Sequence, residues 1–255
     1  MIMQFKNINI EDLKNIALRA GKIIMKIYNK DFTIEYKDNK SPLTEADLKS
    51  NKFICHELNR LYPNIPIISE ENSEIPYHIR KNWEYYFCVD PMDGTKEFIK
   101  KNDEFTVNIS LIYKTTPILG VVYAPALNDL YWADGKNAFK NGKKLPLKIN
   151  RNTKKELFVV ASKSHLSSKT KEFIDKLDSK DIEQISKGSS LKFCMVAEGI
   201  ADIYPRLSPT MEWDTAAADV IVRCAGKMTY QYENNEPMVY NKENLLNPWF
   251  IVQNI

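Results

Sequence analysis

Phe87-Cys88-Val89-Asp90-Pro91-Met92-Asp93-Gly94-Thr95-Lys96-Glu97-Phe98 concentrates the chemistry of this 255-residue chain. Tyr85, Tyr86, Phe87 and Val89 form an aromatic and β-branched run that predicts a buried strand, ending at Asp90 because Pro91 cannot donate to a ladder. A second acid follows three positions on, then a glycine, then a Thr-Lys-Glu-Phe segment compatible with a helix. A strand, a turn and a helix start direct free backbone N–H groups outward as an anion site, beside two carboxylates able to hold a hard cation. Metal and phosphate in one place imply phosphoryl chemistry.

Further acids stand at comparable junctions on either side. Ile65-Pro66-Ile67-Ile68-Ser69 reads as a short strand running into Glu70-Glu71, although paired glutamates in a loop are commonly just solvated. Thr44-Glu45-Ala46-Asp47 opens an apolar pattern at Phe53, Ile54, Leu58 and Leu61, which predicts a helix with Thr44 as N-cap and Asp47 in its first turn. In Glu212-Trp213-Asp214-Thr215, Asp214 or Thr215 is expected to cap a helix over 215–224 that ends near Gly226. Each acid has an ordinary structural explanation, yet Glu70, Asp90, Asp93 and Asp214 together form the all-oxygen set a hard cation requires. An EF-hand loop is excluded because Met92 occupies its third ligand place, and an Asp-x-Asp phosphatase because the acids are three apart.

The remaining pattern divides in two. An amphipathic helix over 10–28 precedes a short strand over 32–37 and a polar loop over 37–42. Residues 105–149 read as mainly antiparallel sheet, beginning with a half-buried strand over 105–113 and including a hairpin at Asn141-Gly142. Lys136, Lys140, Lys143, Lys144 and Lys148 are expected on its solvated face. After a polar boundary at 151–156, strands alternate with helices, the mark of an α/β half, and a cleft is expected between the halves.

Composition excludes other classes. Hydrophobic residues are 44% and charged ones 27%, so neither disorder nor a fibrous repeat is indicated. A net charge of +3 argues against a dedicated binder of nucleic-acid polymer. No apolar run is long enough to span a membrane and no signal peptide is evident, which predicts a cytoplasmic protein. Cys55, Cys88, Cys194 and Cys224 lie far apart and are read as reduced, buried thiols.

Asp90-Pro91-Met92-Asp93-Gly94-Thr95 and Trp213-Asp214-Thr215-Ala216-Ala217 resemble the two signature motifs of the inositol-monophosphatase superfamily of magnesium-dependent, lithium-sensitive phosphatases. Ser69-Glu70-Glu71 and Thr44-Glu45-Ala46-Asp47 fall at two further family positions, so the resemblance spans essentially the whole chain. Lys96-Glu97-Phe98-Ile99, Gly188-Ser189-Ser190-Leu191-Lys192-Phe193-Cys194 and Tyr204-Pro205-Arg206 are similar to its bisphosphate-nucleotidase branch. The resemblance implies a layered α-β-α-β-α sandwich of the inositol monophosphatase and fructose-1,6-bisphosphatase type. Residues 1–150 would be an α+β domain carrying most metal ligands, and residues 151–255 an α/β domain supplying Asp214 and the nucleotide contacts.

By that resemblance one magnesium ion is held by Glu70, Asp90 and the Met92 carbonyl, and a second by Asp90, Asp93 and Asp214, with room for a third near Glu70. Thr95 with Asp47, or Glu70, would orient the attacking water, and the Gly94 and Thr95 amides would hold the scissile phosphate. Lys192, Arg206 and Ser189 would bind the second phosphate and the ribose side. The implied reaction converts adenosine 3′,5′-bisphosphate to AMP and phosphate, with 3′-phosphoadenylyl sulfate as a further substrate. The alternatives are an inositol- or sugar-monophosphate phosphatase and a non-catalytic metal and phosphate sensor. The implied partner is a small nucleotide. Monomer or homodimer, and peripheral attachment to a membrane face, stay open, as do roles for His165 and Asp219.

Overall fold

The computed structural model of the chain describes residues 8–36, 42–72, 74–148, 156–162, 166–177 and 181–254. Its first half runs α1 (Ile10–Tyr28), β1 (Ile34–Tyr36), β2 (Pro42–Thr44), α2 (Glu45–Leu61), β3 (Ile67–Ser69), α3 (Tyr77–Arg80), β4 (Tyr85–Asp93) and α4 (Thr95–Ile99). An antiparallel run follows: β5 (Thr106–Tyr113), β6 (Thr116–Ala124), β7 (Asp129–Ala133), β8 (Ala138–Lys140) and β9 (Lys143–Lys144). The alternating half is β10 (Glu156–Ser162), α5 (Ser168–Asp175), β11 (Asp181–Lys187), α6 (Leu191–Glu198), β12 (Ile203–Arg206), α7 (Glu212–Cys224), β13 (Lys227–Gln231) and β14 (Phe250–Asn254).

Two sheets carry the architecture. One is ordered β3-β4-β5-β6-β7-β8-β9, with β3 parallel to β4 and the other pairs antiparallel. The other is ordered β11-β10-β12-β14-β13, parallel from β11 to β12 and antiparallel beyond. Leu13, Ile16, Ala20 and Ile24 of α1 and Ile54 and Leu58 of α2 pack on one face of the larger sheet with Phe87, Val89, Val107 and Ile109. On its other face Tyr86, Cys88 and Val122 meet Leu191 and Phe193 of α6 and Ala216, Ala217 and Val220 of α7, which in turn pack on Val160, Tyr204 and Phe250 of the smaller sheet. Ile174 of α5 covers Val159 and Ile203 on the outside. The layers are therefore helix, sheet, helix, sheet, helix, the sandwich expected from the sequence.

The elements form for local reasons that the sequence displays. Asn9 accepts from the Glu11 N–H at 3.0 Å and opens α1, whose apolar residues recur every three or four positions and are buried. Thr44 caps α2 while Asp47 reaches back to the Thr44 N–H at 2.7 Å, a reciprocal capping box.

Several expectations are corrected. The strand over 85–90 does not stop at Pro91: β4 continues to Asp93 through a register shift between Asp90 and Asp93, because a bulge tolerates a residue that cannot donate. The strand over 105–113 is not half-buried, since α7 covers its second face and Thr106, Asn108 and Ser110 are all buried. Only 34–36 of the first short strand pair, and Pro42, assigned to a loop, belongs to the partner β2. α7 starts at Glu212 rather than Thr215, with Asp214 inside its first turn instead of at the cap. Lys140 leaves the solvated lysine face to bridge Asp129 and Glu198, each at 3.0 Å. Cys88 and Cys194 are buried free thiols, whereas Cys55 and Cys224 are only partly so. Among the described residues no helix is long and apolar enough to cross a membrane. The boundary at 151–155 and His165 lie outside the described residues.

Candidate active site

The bulge in β4 sets the position of its two acids. Asp90 pairs with Asn108 and Asp93 with Thr106, so three steps along β4 match two along β5. Residues two apart on a strand share a face, and both acids therefore emerge on the same side of the sheet. The Met92 N–H donates to Asp90 Oδ1 at 3.0 Å, and Ser50 Oγ donates to the Pro91 carbonyl at 2.8 Å, fixing the turn from both ends. Gly94 follows with φ 97°, where a side chain is strained, and α4 begins at Thr95.

Three other elements converge on this bulge. The Glu70 N–H donates to the Val89 carbonyl at 3.2 Å, extending the parallel β3–β4 pairing by one residue and setting Glu70 beside Asp90. Thr95 Oγ1 donates to Asp47 Oδ1 at 3.2 Å, while Asp47 Oδ2 accepts from the Thr44 hydroxyl and N–H, each at 2.7 Å. Asp214 Oδ2 accepts from the Met211 N–H at 2.8 Å. The preceding Glu212 is fully buried and accepts from the Asn241 and Lys242 N–H groups at 2.7 and 3.0 Å, which anchors the start of α7.

These carboxylates lie in one another's field. Burial, then Glu70, Asp93 and Asp214, holds the Asp90 carboxyl well above the usual range. Asp214 is pushed up to about 8 by burial and by Asp93 and Glu70, against the stabilising Met211 N–H. Asp93 rises to about 6 through burial, opposed by Lys192 and by the Ser190 N–H. Asp47 is raised by burial, with its Thr44 bonds working against the shift. Among the described residues no three His, Cys, Asp or Glu side chains are gathered into a ready coordination shell. The two facts are compatible, because charges couple across several ångströms in a low dielectric whereas coordination needs contact. The donor set itself, oxygen only and rich in charge, fits a hard divalent cation.

Glu70, Asp93 and Asp214 line a cavity of about 650 Å³ together with Lys192 and Arg206. Lys192 is 5% exposed, bonds the Ser189 carbonyl, and sits 5.6 Å from the centre of the Tyr204 ring. Burial depresses its ammonium to about 8, with Asp93 holding it up and Arg206 pushing it down. The cavity is thus lined by carboxylates and cations together.

Glu70, Asp93, Gly94, Thr95, Ser189, Lys192, Arg206 and Asp214 all line this cavity. Asp47 and Asp90 stand immediately behind it through the bonds above. Met92 also lies behind, with its side chain 1% exposed in the core, so only its backbone is available to a ligand. Asp219 is no part of the site: fully buried, it accepts from Arg223 and from the Tyr240 hydroxyl at 3.0 Å. Sequence reasoning missed Glu97, Ser190 and Ser208, which also line the cavity. Ser190 was readable only as the neighbour of Ser189, and it bridges the two halves through Thr106 Oγ1 at 2.8 Å and Asn108 Oδ1 at 2.9 Å.

Comparison with known proteins places this geometry among relatives. The model of the inositol monophosphatase family matches residues 8–249. The chain is 41% identical over 245 residues to the 3′(2′),5′-bisphosphate nucleotidase CysQ of Salmonella typhimurium, covering 95% of this chain and 98% of that one. It is 46% identical over 220 residues to the protein of the same name from Buchnera aphidicola, covering 85% and 82%. The crystal structure of CysQ from Bacteroides thetaiotaomicron, described as a bacterial member of the inositol monophosphatase family, superposes with a TM-score of 0.88 at 41% identity, covering 99% of both chains.

Proposed function

The chain belongs to the inositol monophosphatase family, and we propose that within it this protein is a magnesium-dependent 3′(2′),5′-bisphosphate nucleotidase. Its substrate is adenosine 3′,5′-bisphosphate and its products are AMP and phosphate. The mixed lining of the cavity carries this reading: its acids, with a cation bound, suit the phosphate to be cleaved, and Lys192 and Arg206 suit the phosphate that is kept. Relatives at 41% and 46% identity bear the nucleotidase name.

Glu70, Asp90, the Met92 carbonyl, Asp93 and Asp214 would hold two magnesium ions. Bound there, the ions supply charge neutralisation for the phosphoryl oxygens and acidity for a nearby water. The chain's own residues do the rest. Thr95 already donates its proton to Asp47 Oδ1, so its lone pairs face outward to take a proton from water. Asp47, held by Thr44 and raised by burial, accepts the proton that Thr95 passes on. The water oxygen forms a bond to phosphorus as the bond to the 3′-oxygen breaks, and that oxygen leaves with the electron pair and takes a proton from solvent. The Gly94 and Thr95 amides orient the transferred group. Residues 1–150 would carry most of the metal ligands, and residues 151–255 would supply Asp214 and hold the nucleoside side.

Phosphate release from adenosine 3′,5′-bisphosphate and from inositol 1-phosphate, measured side by side with magnesium, tests the reading. A preference for the nucleotide in kcat/KM is expected, and a preference for the inositol ester sinks it. Absence of turnover on both substrates would instead favour a sensor.

A further inference from the structure

We propose that Asn247 is a positioning residue for the metal-binding carboxylate Asp214, acting on it through the backbone of Met211. The inference rests on the magnesium assignment above and adds the side chain that fixes, from a distant segment, where this acid stands.

Methionine occupies the N-cap of α7 and supplies no oxygen to the first turn, where Ser, Thr, Asp or Asn is usual. The turn is held from outside instead. The Met211 N–H donates to Asp214 Oδ2 at 2.8 Å, and the Met211 carbonyl accepts from Asn247 Nδ2 at 2.7 Å. Both polar groups of one residue are thereby committed, one to the acid and one to Asn247. The same Nδ2 lies 3.1 Å from Thr215 Oγ1 and 3.3 Å from Thr210 Oγ1, which flank the acid in sequence.

The orientation of the amide is dictated by its neighbours. A carbonyl only accepts, and the Thr215 hydroxyl already spends its proton on the Glu212 carbonyl at 3.2 Å, so nitrogen and not oxygen must face the turn. The amide oxygen accepts from Lys242 Nζ at 3.2 Å, and that ammonium also bonds Glu212 at 2.6 Å. Asn247 is 5% exposed. A buried polar group satisfied at both ends holds a single arrangement.

The backbone around Asn247 is docked independently of its side chain. Met211 and Leu246 form an antiparallel bridge, the Glu212 N–H donates to the Leu245 carbonyl at 2.9 Å, and the Asn247 N–H donates to the Thr210 carbonyl at 2.8 Å. Substituting the side chain therefore leaves the segment in place and removes the grip on the Met211 carbonyl. Packing does not compensate. A cavity of about 140 Å³, lined in part by Ile68, Ser69, Met211, Trp213 and Leu245, gives the turn room to shift. Partners that orient a metal ligand govern differences in affinity of about ten-fold or more.

Calorimetric titration of magnesium into the metal-free protein tests the role without turnover. Asn247→Leu is expected to bind magnesium about ten-fold more weakly. Asn247→Asp keeps the size of the side chain but sets an acceptor against the Met211 carbonyl, and it should bind at least as weakly as the leucine variant. In kinetics, the magnesium concentration giving half the maximal rate should rise about ten-fold, while kcat recovers in excess magnesium. Val159→Ala, a cavity variant in the outer core beneath α5, separates positioning from general destabilisation: its Tm should fall and its magnesium affinity stay parental. Parental affinity in both Asn247 variants, or an equal loss in Val159→Ala, overturns the role of Asn247 alone. A parental protein that binds no magnesium removes the metal assignment itself.

Discussion

Thr95 Oγ1 and Asp47 Oδ1 are 3.2 Å apart, and the other oxygen of that carboxylate is bound twice by Thr44 at the cap of α2. One side chain thus closes the start of a helix and takes the proton of a hydroxyl lining the cavity. Asp47→Asn keeps an acceptor for the cap but cannot accept that proton. We expect kcat to fall by about 100-fold or more with KM little changed, in the range of a lost general base. Stability should fall by no more than about 1 kcal/mol, the scale of a weakened cap. Steady-state kinetics and a thermal melt separate the two effects.

Asp93→Asn removes a charge without changing volume. Activity should drop by at least about 100-fold, while the metal-free variant melts no lower than the parent, because burial and neighbouring Glu97 and Glu70 oppose the charge it loses. Near-parental turnover would refute the two-metal assignment.

The pH dependence follows from the raised carboxyls. Burial, with Asp93 and Glu70, pushes the Asp214 carboxyl up to about 8 from its ordinary 3.8, so between these limits the folded state holds the proton more tightly than the unfolded chain. Stability from this group is then full below pH about 4 and is lost as pH rises toward about 8. In chelator, the advantage in Tm of Asp214→Asn over the parent should widen across that window. Magnesium should raise the parental Tm more at pH 8 than at pH 5, since bound ligand stabilises by mass action and binds the ionised acids. A constant Tm difference across the window would contradict the assignment.

Gly188 precedes the serine pair at the join of the two halves. A Cβ there would lie 2.7 Å from Glu97 Cγ and 2.9 Å from the Glu104 carbonyl oxygen, and the Gly188 N–H itself donates to Glu104 at 2.9 Å. Gly188→Ala should cost about 1–3 kcal/mol and raise KM for the nucleotide, by pushing Ser189 and Ser190 off the cavity wall. Chemical denaturation and kinetics check both.

Arg80 is fully buried and donates to the Ile75, Lys242 and Glu243 carbonyls and to Asn241 Oδ1, at 2.6 to 3.1 Å. Arg80→Met would leave those acceptors unpaired, and a loss of about 3 kcal/mol or more is expected. Because Asn241 and Lys242 also hold Glu212, magnesium affinity should weaken along with stability, measurable by titration calorimetry.

What could be read in the sequence was what neighbouring residues decide. The bounds of α1 follow from Asn9 and a regular apolar stripe, and the start of α2 from Thr44 and Asp47. The start of α7 falls three residues before Thr215 because Asp214, in the first turn, reaches back to the Met211 N–H, while Asn241 and Lys242 hold Glu212 from a distant segment. The burial of Asn108 and Ser110 depends on α7 covering β5, again a distant event. Acids spaced around a proline and glycine were legible as a site, since charge at strand ends is conspicuous. Ser208 was not, because an uncharged hydroxyl in Arg-Leu-Ser-Pro looks like any turn.

The bulge at Asp90 to Asp93 converts an odd sequence spacing into a same-side pair. It acts as a gear between the numbering of the chain and the geometry of the sheet. Removing one residue between the two acids would restore the regular strand count and still leave both on one face, but it would take out either Pro91 or Met92, whose backbone supplies the turn. The same two acids three positions apart on a regular strand, without the bulge, would face opposite sides of the sheet. Two chains could therefore carry identical acids in identical order and differ in whether they possess a site, the difference lying wholly in strand phase.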